Sequence, residues 1–392
     1  MSHKTAPKKV QDSKKSALAK DAKLVEDDSE RKFRTLSILS YFIVLVLLGI
    51  PIWWYTTRVY RAPLPLEDID ELRIKATKAS DFGIPLSLEY DILITFVHPD
   101  PESIKIQADG SEIETLLQDL LKKLSPISEF VVKSQWLYLI ELAAIPRMVM
   151  DFNLILKNQL PHVITPLETK LWSHASPRPT INLIVYFPHC HTAPLHIADS
   201  DNNISPTNAF VSPRWGGIYL VNLDESSCNS GHFAADSKEI ALNFHQMLLE
   251  LFHLNNTSEA VLTEFKLKKI EEMLESSKRT LKSLAQLLSE INSIVISDQV
   301  ASQINLALHS VQEAETLLAT GDKEGALQYA KLAFKNSEEA FAHPSLLALL
   351  YFPDDQKYAI YIPLFLPVMI PVIMSLIQIR KKRGSAAKDK TS

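Results

Sequence analysis

The chain has 392 residues, 46% of them apolar, which is enough for a substantial buried core, could fill two domains of ordinary size and argues against disorder over most of its length. Its formal net charge of -5 comes from 41 basic and 46 acidic residues spread along the chain, which excludes the concentrated basic field that nucleic-acid binding needs. Only 9 glycines occur, none in G-x-G-x-x-G or G-x-x-x-x-G-K-S/T, so no backbone cradle for a phosphate is expected.

A polar segment, 1–34, leads into the first uncharged run, the 23 residues between Arg34 and Arg58. Twenty helical residues rise about 30 Å, the thickness of a bilayer's hydrocarbon core, so 35–57 is predicted as a transmembrane helix. The long polar lead and the closing Trp53, Trp54 and Tyr55 suit an anchored span with interfacial aromatics rather than a cleaved signal peptide. Prolines in Ala62-Pro63-Leu64-Pro65-Leu66 predict an extended exit from it.

Residues 58–256 mix strand and helix signals. Leu86–Val97, Phe130–Leu142, Thr180–Phe187 and Trp215–Leu223 read as strands, and Glu112–Leu124 and Ser237–Leu254 as amphipathic helices. The order is that of an α/β layer fold. From Ser258 the pattern turns helical, with Leu267, Ile270, Leu274, Leu281, Leu284, Leu288, Ile291 and Val295 on a 3,4 repeat broken at Ser277. Further helical spacing from Ile304 to Leu318 and Leu327 to Phe341 makes 257–342 an antiparallel helical region by the most economical packing.

A juxtamembrane segment, 343–357, carries the acidic pair Asp354 and Asp355, and 358–379 is a second uncharged run of 22 residues, predicted as another span. In it Pro363, Pro367 and Pro371 recur at spacing four on one helical face, and each removes a backbone donor. In lipid that face calls for protein packed against it. The predicted architecture is an α/β lumenal domain with a C-terminal antiparallel helical region, flanked by two transmembrane helices.

Basic residues nearly tie around the first run, but Arg380, Lys381, Lys382, Arg383, Lys388 and Lys390 crowd the far side of the second, in the tail 380–392. By the positive-inside rule both tails are expected in the cytosol and the middle in a lumen. Sequons at Asn203, Asn255 and Asn256 all fall in that middle, as do Cys190 and Cys228, whose pairing the sequence leaves open. Lys388 and Lys390, five and three residues from the carboxyl end, resemble a dilysine retrieval signal of the endoplasmic reticulum.

Chemistry-bearing patterns are few. His189-Cys190-His191, with His196 nearby, could offer a thiolate beside an imidazolium or two kinds of metal ligand. Adjacent side chains on an extended chain point to opposite faces, no protease signature surrounds Cys190, and one cysteine is too few for structural zinc. No catalytic residue, cofactor or metal site is assigned. Ser212-Pro213-Arg214-Trp215-Gly216-Gly217 reads either as a turn opening a strand or as a contact surface through Arg214 and Trp215. Asp354, Asp355 and the three prolines are the other candidate contacts.

Gly49–Pro65 (GIPIWWYTTRVYRAPLP), Leu160–Leu171 (LPHVITPLETKL), Ser212–Asn222 (SPRWGGIYLVN) and His343–Pro367 (HPSLLALLYFPDDQKYAIYIPLFLP) together resemble the PIG-S family, a subunit of the glycosylphosphatidylinositol (GPI) transamidase of the endoplasmic reticulum membrane. The resemblance runs from the first span to the second, on a chain shorter than many relatives, with part of the lumenal domain trimmed. It implies a non-catalytic, scaffolding role beside a caspase-like catalytic subunit and other subunits, with membrane lipid, and GPI among it, within reach. Two rivals stand against it: a free-standing lumenal adaptor, and a Cys190-dependent hydrolase.

Overall fold

The computed structural model describes residues 28–74, 83–149, 152–198, 203–291, 294–346 and, apart from 368 and 376, 359–377. Asp354, Asp355, Lys388 and Lys390 lie outside the described residues. The chain divides into two compact units: Met1–Ala62 with Ile291–Asp298 and His343–Ser392, and Pro63–Glu290 with Gln299–Ala342.

In the first unit α1 (Asp28–Phe42) continues through a π-helical stretch, Ile43–Gly49, into α2 (Ile50–Thr57). The widened turns end just before Pro51, whose missing N–H breaks the regular hydrogen-bond ladder there. Among the described residues one helix, Thr35–Tyr55, is long and apolar enough to cross a membrane. Beyond α2 the chain leaves the helix extended at Arg58, but the predicted extended exit does not last: the Leu66 N–H turns back to the Leu64 carbonyl at 3.0 Å and a short helix, α3 (Leu66–Asp70), begins there. Arg61 forms a parallel bridge with Ile296, and the Tyr60 hydroxyl donates to Asp298 Oδ1 at 2.6 Å. Residues 359–367 and 369–375 are helical, and the Trp53 ring meets those of Tyr361 and Phe365 edge-on, with centroids 6.2 and 6.5 Å away.

The second unit is built on a five-stranded sheet and also holds a two-stranded parallel one of β2 (Lys105–Gln107) and β10 (His232–Ala234). The strands of the larger sheet are β1 (Glu89–His98), β3 (Glu129–Tyr138), β6 (Thr180–Tyr186), β8 (Ala209–Ser212) and β9 (Gly216–Leu220), in the order β3-β1-β6-β9-β8. The first four are parallel and β8 closes the edge antiparallel. Helices cover both faces of such a sheet, so the central strands are apolar on both sides. Ile92, Ile94, Val97, Leu183, Ile184, Val185 and Ile218 are accordingly sealed from solvent.

One face carries α4 (Gly110–Leu124) and α7 (Ser237–Leu251), each capped by an aspartate: Asp109 accepts from the Ser111 N–H at 2.8 Å and Asp236 from the Lys238 N–H at 2.8 Å. The other face is covered by α5 (Leu160–Glu168) and a small sheet of β4 (Arg147–Val149), β5 (Phe152–Leu156) and β7 (Leu195–Ala198). Their shared core holds Val97, Ile155, Val163, Leu167, Ile184, Leu195 and Ile218. The predicted strand to Leu142 is shorter than expected. It stops at Tyr138, and Leu139 turns away with φ +59° and an exposed side chain.

The C-terminal part of this unit is helical: α8 (Glu259–Glu290), α9 (Asp298–Thr320) and α10 (Lys323–Phe341). Ile270, Leu274, Leu281, Leu284 and Leu288 of the predicted seam are buried. Ser277, its one polar break, is buried as well and satisfies its hydroxyl on the Met273 carbonyl at 2.8 Å. Val295 does not extend the seam, because α8 ends at Glu290 and Val295 is 37% exposed. The Lys266 ammonium meets Glu324 at 2.5 Å, and the Thr280 hydroxyl meets Glu338 at 2.9 Å.

Candidate functional site: the histidine and disulfide rim of the parallel sheet

In an open parallel sheet the loops part where the chain leaves two neighbouring strands in opposite directions, and ligands bind at the carboxyl ends there. Here the chain passes from β1 to β3 on one side and from β6 to β9 on the other, so the switch lies between β1 and β6. At its rim β1 ends in His98, which is buried, with Nε2 2.9 Å from the Ile104 carbonyl. Asp100 follows. From β6 the chain runs into His189, Cys190 and His191.

His189 sits between two carboxylates, with Nε2 3.3 Å from Glu141 Oε1 and Nδ1 3.8 Å from Asp100 Oδ2. The His191 ring lies beside it at 4.9 Å between centroids. The Asp100 carboxyl is held below its usual range, first by its side-chain hydrogen bond with Ser103, with burial opposing it, and then by the Ser103 N–H and the nearness of His189 and His98. The backbone is pinned as well, since the Thr192 and Ala193 N–H groups both donate to the His189 carbonyl at 2.9 Å.

Cys190 is bonded to Cys228, with Cα atoms 5.8 Å apart. The bond ties the loop after β6 to the short helix α6 (Glu225–Ser230). Neither sulfur is a thiol in this state, so the nucleophile that a Cys190-dependent hydrolase needs is lacking. Reducing the bond, or replacing both cysteines by serine, is expected to cost about 2–4 kcal/mol, the usual worth of a disulfide closing a loop of this kind. Urea denaturation with and without reductant measures it, and the double variant should show no further sensitivity to reductant.

His196 does not join this cluster. It lies on β7, in register with Leu154, and its ring packs on Phe152 at 5.6 Å. Among the described residues no group of three or more histidines, cysteines and acids is placed to hold a metal. Asp100 and Glu141 carried no sequence signal: they stand 89 and 48 residues from His189, and only the sheet register brings them together.

The segment Ser212–Gly217 forms the turn between β8 and β9. Arg214 takes φ +66° and Gly216 φ +139°, which swings Trp215 inward. Trp215 is 8% exposed and belongs to the core cluster beneath α5, so its indole offers a partner almost nothing, while Arg214 is exposed. The Asn182 N–H donates to the Trp215 carbonyl at 3.0 Å. Pro363, Pro367 and Pro371 are exposed, and so are Asn203, Asn255 and Asn256, the last accepting from the Ser258 N–H at 2.9 Å.

At the opposite end of the sheet the buried Asp91 carboxylate meets Lys133 at 2.5 Å and Ser176 at 2.6 Å, with Arg178 3.7 Å away. Burial alone raises its pKa, and these hydrogen bonds and charges outweigh it, so the group stays ionised. This is an ion pair that completes the sheet end.

The family model described as phosphatidylinositol-glycan biosynthesis class S protein, PIG-S, matches residues 40–86 and 75–385. A rat protein named GPI-anchor transamidase component PIGS is 39% identical over 329 residues, covering 77% of this chain and 59% of its own length. The human protein of that name is 38% identical over 318 residues, covering 75% and 57%. A fission-yeast protein, GPI transamidase component PIG-S homolog from Schizosaccharomyces pombe, is 28% identical over 303 residues, covering 75% and 54%. The chain thus spans somewhat more than half the length of these relatives. A match that runs from inside the first apolar helix, through the β1/β6 rim and the helical region, to residue 385 takes in both units of the structure, and on that ground the chain belongs to the PIG-S family.

Proposed function

We propose that the chain is a non-catalytic, scaffolding subunit of a GPI transamidase, the complex that joins GPI lipid anchors to the C-terminus of proproteins. One observation carries this reading: the rat, human and fission-yeast relatives are named as components of that enzyme, and each of the three covers three-quarters or more of this chain. The Cys190–Cys228 bond favours the scaffold over the hydrolase, because it removes the side chain that the hydrolase would use.

In this reading 35–57 and 358–379 are spans of the endoplasmic reticulum membrane and both tails are cytosolic. The α/β domain, 58–256, and the helical region, 257–342, are lumenal. Trp53 against Tyr361 and Phe365 supports two spans that pack on each other. An up-down-up arrangement of α8, α9 and α10 is supported by the two links at equal offset, Lys266 to Glu324 and Thr280 to Glu338, which suit two helices running the same way with α9 between them in sequence. Exposed Asn203, Asn255 and Asn256 suit glycan attachment, and Lys388 and Lys390 serve as the retrieval signal. The two family matches overlap at residues 75–86, ahead of β1, and we place there the length that the relatives have and this chain lacks.

The test is purification of the tagged full chain in mild detergent. Recovery of a caspase-like subunit, with transfer of GPI to a model proprotein in the eluate, is expected. Recovery of the chain alone, from cells that still anchor proteins after its depletion, would overturn the reading in favour of a free-standing adaptor.

A further inference from the structure

The helix at 359–367 and 369–375 has two unlike faces. Its half-buried residues, Tyr361, Met369, Val372 and Ser375, share one face with Phe365, which touches Trp53. On the earlier helix the half-buried residues are Ile38, Phe42, Leu45, Val46 and Gly49, which share one face, and Trp53 continues it one turn on. The two helices therefore meet seam to seam. Pro363, Pro367 and Pro371 stand two positions on from Tyr361, Phe365 and Met369, which at about 100° per residue turns them well away from that seam, and all three are exposed.

The chemistry of that outer face is unusual for a membrane helix. A proline has no N–H, so the carbonyls four residues earlier, those of Ala359, Pro363 and Pro367, have no ladder donor. They form a row of three acceptors about 6 Å apart. Between 359 and 377 the only side chains with a donor are Tyr361 and Ser375, and both belong to the seam. Acyl chains offer no donor, and the first helix is engaged on the other side. A second copy of this helix presents the same acceptors and cannot answer them.

We infer that the proline face docks a membrane-spanning helix of a different subunit, one that presents serine, threonine, asparagine or glutamine side chains about one turn apart and donates them to the freed carbonyls. This deepens the subunit reading above and rests on its two membrane spans. Interhelical hydrogen bonds of this kind supply orientation as well as affinity, so the row of acceptors also fixes the register of the partner.

The test uses the full chain in intact membranes, with a photoreactive phenylalanine analogue placed at Ile360 or Met374, which flank the prolines, or at Ile362 or Ile373 as controls turned away from them. Ile360 and Met374 are expected to capture one partner helix with hydroxyl or amide residues in register, and the controls to capture lipid. Replacing all three prolines by alanine restores the ladder, so capture should fall about tenfold although the helix is retained. Lipid adducts alone, an all-apolar partner, a second copy of this chain, or capture unchanged by the alanines would each overturn the inference. A captured helix of the stated chemistry from a protein unrelated to the transamidase would sustain it and overturn the proposed function instead.

Discussion

Gly216→Ala is expected to unfold the α/β unit at temperatures where the unmodified protein is intact. A Cβ at position 216 would stand 1.9 Å from the Asn182 carbonyl oxygen and 2.7 Å from the Asn182 nitrogen, and φ there is +139°. Those are backbone atoms of β6, a strand held on both sides by β1 and β9, so they cannot step aside without breaking the ladder. Strain of this kind costs about 1–3 kcal/mol, and each buried hydrogen bond lost adds about 1 kcal/mol. Because Asn182 and Gly216 are paired in register and Trp215 is bonded to Asn182, several contacts go together. A total above about 4 kcal/mol is expected, in the tail of single-residue effects. Gly321→Ala is the control: φ is +90° but nothing lies within 4 Å, so the cost should stay near about 1 kcal/mol. Thermal melts of the two variants that coincide would show that the turn is not what holds Trp215 in the core.

Lys278→Met should cost about 3–5 kcal/mol, the usual effect of breaking a buried ion pair from one side. Lys278 and Glu275 are each about 4% exposed on α8, and the ammonium contacts Glu275 at 3.1 Å, Glu315 of α9 at 2.6 Å and the Arg73 carbonyl at 3.2 Å. Removing it takes from the buried Glu275 carboxylate its cation at 3.1 Å and from Glu315 its cation at 2.6 Å. The double variant Glu275→Leu/Lys278→Met removes both charges and should lie close to the unmodified protein, because a buried ion pair and an apolar pair of similar volume are nearly equivalent. A double variant no better than the single one would show that the pair acts through Glu315 and Arg73 instead. Burial pulls the Lys278 pKa down, but the two glutamates together raise it above 10.5. A raised cation stabilises the fold in full below its unfolded value and loses that contribution only as pH climbs through the folded one. Stability should therefore not change through this group anywhere near neutral pH.

The long elements of both units were legible in the sequence, while the short ones, β4, β5, β7, β8, α5 and α6, and several element ends were not. Periodicity located the first apolar helix, β1, β6, α4, α7 and the seam of α8, because burial of one face or both is written as a repeat of apolar residues. It overran β3, which Leu139 ends in a left-handed conformation, and α8, which stops before Val295. Local strain and chain exit leave no repeat to read. The Ser212–Gly217 segment reads as a turn or a contact, and only the sheet shows how the turn is built, with the Gly216 backbone tight against the Asn182 carbonyl.

The candidate rim was half legible. His189, Cys190 and His191 are adjacent in the chain, so any reading finds them. That Cys190 meets Cys228, that His189 falls between Asp100 and Glu141, and that His196 turns away to Phe152 depend on which strands are neighbours.

By itself the sequence determined the two long uncharged runs, the apolar periodicities, the family resemblance and the positions of the prolines, because each is a property of one stretch of chain. Only the tertiary structure decided that Trp215 is core, that Cys190 is spent in a bond, and that the prolines face away from the Trp53 seam. Each of those depends on a second stretch of chain brought alongside, and the physical reason is the same in all three: packing assigns one face of every element to a neighbour, and the sequence of the element does not say which neighbour will take it.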